Sequence, residues 1–304
     1  MEDTKRQVLP AGLWVVATPI GNLADFTQRG RFALAEAEFI LCEDTRRTAQ
    51  LLGALGFSQF KQKLHRLDAH SSPAQIQKWV ETLQDGKNVA LVTDAGTPGI
   101  SDPGAALVRK AQEAKIQMTP IPGASAPISL LSVSGFQETS FTFRGYFPRS
   151  PQDQKTEIQL ASKNPMSRIF VWFESPMRIR KALASISAEL PDVQIVVAKE
   201  LTKLYERLFA GTATDVALQI NHELDQEGEV GEWCFAVHFG PRAEMDGMDE
   251  NSNENSQAWK NALKCLLSAG VSVSESSKQI SQNFGIPKKR SYEAALQVSG
   301  KKKG

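Results

Sequence analysis

The sequence predicts an α/β protein built on mostly parallel sheets, followed by a small helical module. Three observations carry that prediction. Short apolar runs alternate with longer segments of helical period. The loops after several runs are rich in glycine, proline and small residues, as in connections that leave the carboxyl ends of parallel strands. Charge is also segregated: Ala243 to Ser256 holds five acids and no basic residue, and from Asn255 onward there are nine basic residues against two acids. That asymmetry predicts an acidic linker ahead of a basic module.

Taken in order, Gly12 to Ala17 (GLWVVA) reads as a buried strand, and Asp25 or Thr27 caps a helix through Arg29 to Ala37. Phe39 to Cys42 is a second strand, which delivers Glu43, Asp44, Thr45, Arg46 and Arg47. That cluster suits either a helix N-terminus or a cleft-facing group. Leu64 to Leu67 is a short run, and Ala74 to Gln84 a helix. Val89 to Val92 is a buried strand leading into DAGTPGISDPG, with a helix from Ala105 to Ala114 and a strand from Met118 to Ile121 behind it. The loop is neither a P-loop nor a GxGxxG fingerprint. Its glycines and prolines suit close approach to a ligand or a tight structural turn.

Pro122 to Pro127 is a second small-residue loop, followed by helix to Val133. Phe141 to Phe147 (FTFRGYF) is strand-like, either core or a strip on which a base stacks. A polar helix runs toward Ala161, Ile169 to Phe173 is a strand, Arg178 to Leu190 a helix and Gln194 to Ala198 a strand. Leu204 to Ala210 is expected to be helical, Gly211, Thr212 and Thr214 to make a turn and a helix cap, and Glu229 to Phe239 to form the last strand. Beyond the linker, helices are expected over Ala258 to Ala269, Val273 to Phe284 and Ser291 to Val298, with Lys288, Lys289 and Arg290 ahead of the third. Three short helices with a basic turn resemble a small helix-turn-helix bundle that binds nucleic acid, and a solubilising tail or dimer-packing element is the other reading of the same charge pattern. The domains are therefore drawn at 1–121, 122–242, 243–257 (linker) and 258–304.

The chain has 304 residues and a formal net charge of +1, so global charge says nothing about partners. Cys42, Cys234 and Cys265 are odd in number, show no metal-ligand spacing and sit in apolar contexts, which predicts buried, reduced thiols. The four histidines include no HxxxH or HExxH pair, so no metal is expected. MEDTKRQVLP has no signal-peptide core, and no apolar run approaches the roughly 18–20 residues of a membrane span. A cytoplasmic protein is the expectation.

VVATPIGNLADFTQRG, LCEDTRRTAQLL, VTDAGTPGISDPG, PIPGASAPISLLSVSGF, FRGYFPRS, FESPMRI, KELTKLYE and GTATD occur in that order. Together they resemble the small-subunit ribosomal RNA 2′-O-ribose (cytidine) methyltransferases, a branch of the tetrapyrrole (corrin/porphyrin) methylase fold family. The resemblance covers about residues 10–240. It implies two α/β domains with S-adenosylmethionine folded in the cleft between them. It further implies methyl transfer to a ribose 2′-hydroxyl of a cytidine in the decoding region of 16S ribosomal RNA, on the assembled small subunit, by a homodimer. Carried over by motif, the cofactor residues are Pro19, Gly21, Asp94, Ala95, Gly96, Ile100, Ser101, Ser125, Ala126, Phe173, Glu174, Leu201, Thr212 and Ala213. Glu43, Arg46, Lys199 and Glu200 are the catalytic candidates, and Arg178, Lys203, Lys288, Lys289 and Arg290 the RNA-binding ones. Removing a hydroxyl proton calls for an acceptor, and a cation steadies the developing alkoxide.

Three positions depart from the family pattern. Met177 replaces a histidine, Lys199 an arginine and Tyr205 a histidine. The first removes any proton carrier there, and the second keeps charge but not bidentate geometry. Two other readings stay open: a tetrapyrrole or small-molecule methyltransferase of the same fold, and a catalytically silent RNA-binding homologue.

Overall fold

Packing divides the chain, seen in a computed structural model that describes residues 9–99, 104–164, 166–240, 253–284 and 286–299, into two units. The first comprises residues 1–134, 197–208 and 231–234, the second 135–196, 209–230 and 235–304.

In the first unit, strands β1 (Leu13–Val16), β2 (Phe39–Cys42), β3 (Leu64–Arg66), β4 (Val89–Leu91) and β5 (Met118–Ile121) form a sheet in the order β3-β2-β4-β1-β5. Its neighbouring strands are parallel throughout. Successive side chains of a strand point to opposite faces, and both faces here are covered. Trp14, Val16, Ile40, Cys42, Ala90 and Val92 pack on one side with Leu34 of helix α1 (Gln28–Glu36) and Leu52 of α2 (Thr45–Ala54). Leu13, Leu41, Val89 and Leu91 pack on the other with Leu83 of α3 (Pro73–Gln84) and Leu107 of α4 (Gly104–Glu113). Burial on both sides explains why these strands read as unbroken apolar runs. The helix starts are set by side-chain caps: Thr27 accepts from the Gly30 amide, Asp44 from the Arg46 amide, and Ser72 and Gln75 make a reciprocal capping box.

β1 and β4 lie side by side, yet β1 leads to β2 on one side of the pair and β4 to β5 on the other. A switch of this kind opens a crevice at the carboxyl ends of the two strands.

His65 on β3 sits against the Phe39 and Trp79 rings at 5.5 and 5.0 Å, with a buried Nε2 that lacks a partner among the described residues. Burial, helped by the Lys78 charge, holds its pKa below the ordinary value. The unfolded chain therefore takes up a proton that folded His65 resists, and stability must fall as pH drops through about 6.5. Replacing His65 with phenylalanine should flatten the decline of Tm between about pH 7 and pH 5, measured by thermal unfolding.

The second sheet runs β6 (Phe141–Tyr146), β7 (Ile169–Glu174), β10 (Trp233–His238), β8 (Gln194–Lys199) and β9 (Arg207–Thr212) in the order β6-β7-β10-β8-β9. α5 (Ala126–Ser132) precedes it, and α6 (Pro151–Ser162), α7 (Pro176–Glu189) and α8 (Ala213–Glu227) intervene between its strands. The expected helix over Leu204 to Ala210 is not formed: a turn follows β8, and Arg207 onward is strand β9. Leu204, Tyr205 and Leu208 have helical spacing but stay 87%, 71% and 47% exposed. Pairing at the edge of the sheet satisfies the backbone instead, so tertiary context overrides the local pattern.

The C-terminal helices are α9 (Asn253–Ser268), α10 (Val273–Phe284) and α11 (Lys288–Ser299). Trp259, Leu263, Ile280, Phe284 and Ala295 make their core. Ser277 and Ser291 are fully buried, their hydroxyls 2.9 Å apart, and Ser291 Oγ also donates to the Ser277 carbonyl. These small residues let α10 and α11 approach closely. Replacing Ser291 with leucine should overpack the junction at a cost of about 1–3 kcal/mol, read as lost amide protection confined to these helices.

Two expectations shift here. Lys288, Lys289 and Arg290 form the first turn of α11 and do not precede the helix, and all three are exposed. Cys42 and Cys234 are buried as expected, but Cys265 is exposed, because Leu263 takes the inward position of α9. Asn253–Gln257, within the linker drawn on composition, already belong to α9, and the rest of that linker lies outside the described residues. Among the described residues no helix is long and apolar enough to cross a membrane.

Candidate functional site

Within the first unit, the loops leaving β1, β4 and β5 are tied together by backbone and threonine contacts. Thr18 and Gly96 exchange amide–carbonyl hydrogen bonds of 2.9 and 3.2 Å. The buried Thr18 hydroxyl donates to the Thr93 carbonyl at 3.1 Å, and Thr97 Oγ1 donates to the Ala124 carbonyl at 3.1 Å. Gly96 holds φ +84°, a conformation side chains rarely adopt. Pro19, Gly21, Asp94, Ala95, Gly96, Ser125 and Ala126 all stand on or beside these loops. Ile100 and Ser101 lie outside the described residues.

Asp94 opens the β4 loop. Its Oδ2 accepts from Arg47 at 3.1 Å, while its Oδ1 is buried without a partner among the described residues. Glu43 Oε1 accepts from the Thr93 hydroxyl at 2.5 Å. Asp44 caps α2 and grips the Arg46 guanidinium with both oxygens, at 2.7 and 3.1 Å. That guanidinium holds the Asp44 carboxyl well below the usual carboxylate range. Arg46 nevertheless remains 87% exposed, a charge fixed in direction and open to solvent.

The turn after β8 closes on the β1 loop. The Asn22 amide donates to Thr202 Oγ1 at 3.1 Å, and a Cβ on Gly21 would fall 2.4 Å from Lys203 Cγ and 2.8 Å from that hydroxyl. Leu201 and Lys203 are thereby brought to Gly21. The turn itself is strained, with Glu200 and Thr202 at φ 56° and 66°. Glu200 Oε1 accepts from the Glu232 amide at 2.7 Å and from Lys203 Nζ at 2.9 Å, and Lys203 also reaches Glu232 Oε2 at 3.0 Å. Burial would raise the Glu200 pKa, but Lys203, the Glu232 amide and Lys199 outweigh it and hold the carboxyl low. Lys199 is only 2% exposed, with its ammonium 5.6 Å from the Trp233 ring centre. A buried lysine supplies a strong local field.

The remaining expected residues belong to the second unit. Glu174 ends β7, fully buried, and pairs with Arg178 in the first turn of α7 at 2.5 Å. Burial pushes the Glu174 carboxyl up, against the pull of the Ser175 amide and Arg178. Phe173 packs edge-on against Phe143 and Tyr146, while Arg144 is bound to Glu157 through two 2.8 Å hydrogen bonds. Thr212 caps α8 at the Asp215 amide, and Ala213 behind it is buried. Met177 is 71% exposed.

Sequence reasoning missed Thr18, Arg47, Thr93, Thr97, Glu232 and Trp233. The first four lie inside or beside motifs already singled out. Glu232 and Trp233 carry no motif, and only folding brings them to Lys199 and Glu200.

The family of tetrapyrrole (corrin/porphyrin) methylases matches residues 12–217. A ribosomal RNA small subunit methyltransferase I of Xylella fastidiosa is 35% identical over 93% of this chain and 98% of its own. The Bacillus subtilis protein of the same name is 33% identical over 93% of each. Among solved structures, a diphthine synthase superposes with a TM-score of 0.54 at 15% identity, covering 74% of this chain and 89% of that one. The methyltransferase CobJ gives 0.52 at 16%, over 75% and 94%. These two likenesses concern the fold alone.

Proposed function

Because the chain belongs to the tetrapyrrole (corrin/porphyrin) methylase family, we propose that it transfers the methyl group of S-adenosylmethionine to the ribose 2′-hydroxyl of a cytidine in the decoding region of 16S ribosomal RNA. What carries the reading is its likeness to ribosomal RNA small subunit methyltransferases I over nearly its whole length. The same reading puts it in the cytoplasm with the small ribosomal subunit, as a homodimer.

The residues of the β1, β4 and β5 loops suit the cofactor. Asp94 Oδ1, buried and unpartnered among the described residues, is an acceptor for a ligand hydroxyl or ammonium group, and an unmatched carboxylate oxygen there is otherwise costly. Gly21 lets the turn after β8 pack directly on the β1 loop, and Gly96 gives the β4 loop its positive φ, so both glycines set the course of the backbone at this site. When bound, the cofactor supplies an electrophilic methyl group on a sulfonium, which is already a good leaving group. The chain must then align the acceptor hydroxyl, keep it dry and take its proton. Glu200 is held ionised and fixed by Lys203 and the Glu232 amide, so it suits orientation of that cation. Lys199, buried beside Trp233, suits stabilisation of alkoxide charge. Arg46 presents an open, directed cation to an RNA phosphate.

The test is incubation with labelled S-adenosylmethionine and small ribosomal subunits, followed by mapping of the label. Label on a decoding-region cytidine ribose supports the reading, and label elsewhere or none at all overturns it. Glu200→Ala should lower kcat by about 10²-fold or more with little change in cofactor Kd by calorimetry. Unchanged turnover would remove Glu200 from the machinery.

A further inference from the structure

We infer that Glu174 and Arg178 form a fork that reads the hydrogen-bonding edge of a nucleobase. Sequence motifs placed one of these residues with the cofactor and the other with RNA. In the structure they are a single pair within one unit.

The pairing is incomplete in a telling way. A carboxylate and a guanidinium ordinarily meet through two parallel hydrogen bonds. Here Glu174 Oε1 takes both of the contacts, from the Ser175 amide at 2.6 Å and from Arg178 Nη2 at 2.5 Å. Arg178 Nε is directed away, to Ser175 Oγ at 3.2 Å. Glu174 Oε2 and Arg178 Nη1 remain, both closed to water and both without a partner among the described residues. Buried polar groups are nearly always matched, and two unmatched ones on one rigid pair call for a common ligand.

One free acceptor and one free donor define what that ligand presents. A phosphate offers acceptors alone and would meet the bare Glu174 oxygen. A vicinal diol is held by the two oxygens of one carboxylate and needs no guanidinium. A planar edge carrying an amine beside a ring imine nitrogen donates to Oε2 and accepts from Nη1. Cytosine and adenine share that edge. The choice of these bases rests on the proposed function, in which the acceptor is a cytidine and the cofactor an adenosine.

Deamination reverses the edge, so discrimination between amino and oxo forms reports the fork directly. The full chain, wild type and as Glu174→Gln and Arg178→Lys, is titrated calorimetrically with S-adenosylhomocysteine and S-inosylhomocysteine. The same proteins are assayed for methyl transfer on small subunits carrying cytidine or uridine at the mapped position. A preference for the amino form of either ligand that collapses at least tenfold in a variant supports the fork. Collapse in the first arm places adenine on it, and collapse in the second the target cytosine. Preferences unchanged in both arms, in variants that keep the wild-type Tm, overturn it. Arg178→Lys, at a partly exposed position, serves where Glu174→Gln fails to fold. Absence of methyl transfer by the wild type would defeat the proposed function while the homocysteine arm still tests the fork.

Discussion

Replacing Gly21 with valine is expected to weaken S-adenosylmethionine binding by at least about 100-fold, or ~2.7 kcal/mol, while leaving the chain folded. The Cβ alone would intrude to 2.4 Å from Lys203 Cγ, 2.8 Å from Thr202 Oγ1 and 3.0 Å from the Leu201 carbonyl oxygen. Lys203 can swing aside. The Leu201 carbonyl cannot, because the turn is pinned by Glu200 on the Glu232 amide and by Glu206 on the Thr202 amide at 2.5 Å. The β1 loop must therefore retreat, breaking the Asn22–Thr202 contact and displacing Pro19 and Ile20 beside Gly96. The underlying core of Trp14, Val16 and Ala90 is untouched, so Tm should fall by only a few degrees. Calorimetric titration with the cofactor, beside a thermal melt, separates the two effects. Wild-type affinity in a folded variant would remove the β1 loop from the cofactor site.

Much of the first unit was legible because its physics is local. Val89 to Leu91 and Phe39 to Cys42 are buried on both faces, which forces uninterrupted apolar runs, and Ser72 announces α3 three residues ahead of the Gln75 that completes its cap. The turn after β8 was illegible for the converse reason. Leu204, Tyr205 and Leu208 have the spacing of a helical face, and nothing local shows that β9 will pair along a sheet edge. Nor does any residue pattern mark positive φ at Glu200 and Thr202, where glycine would be the usual signal. The site follows the same division. Its motif loops were visible as glycine- and proline-rich stretches. The partners that set charge and orientation, Glu232 for Lys203 and Trp233 beside Lys199, lie some thirty residues further along the chain and meet them only through tertiary packing.

The second large effect is expected from substituting alanine for Lys288, Lys289 and Arg290 together. Three cations in the first turn of α11 oppose the positive end of its helix dipole, an arrangement that costs stability unless an anion answers it. All three side chains are exposed, whereas the bundle is held by Trp259, Leu263, Ile280 and the Ser277–Ser291 contact. The triple variant should therefore fold, and removing the cations should raise its Tm slightly. If each cation meets a phosphate, each contributes about 0.7–0.9 to the slope of log K against log salt. The slope for RNA should then shrink by about 2–3, and affinity at low salt should drop on the order of 10-fold or more. Cofactor affinity should not move. Filter binding of small-subunit RNA across a salt series reads both quantities. An unchanged slope would make α11 a packing element and leave RNA recognition to cations such as Arg46 and Lys203.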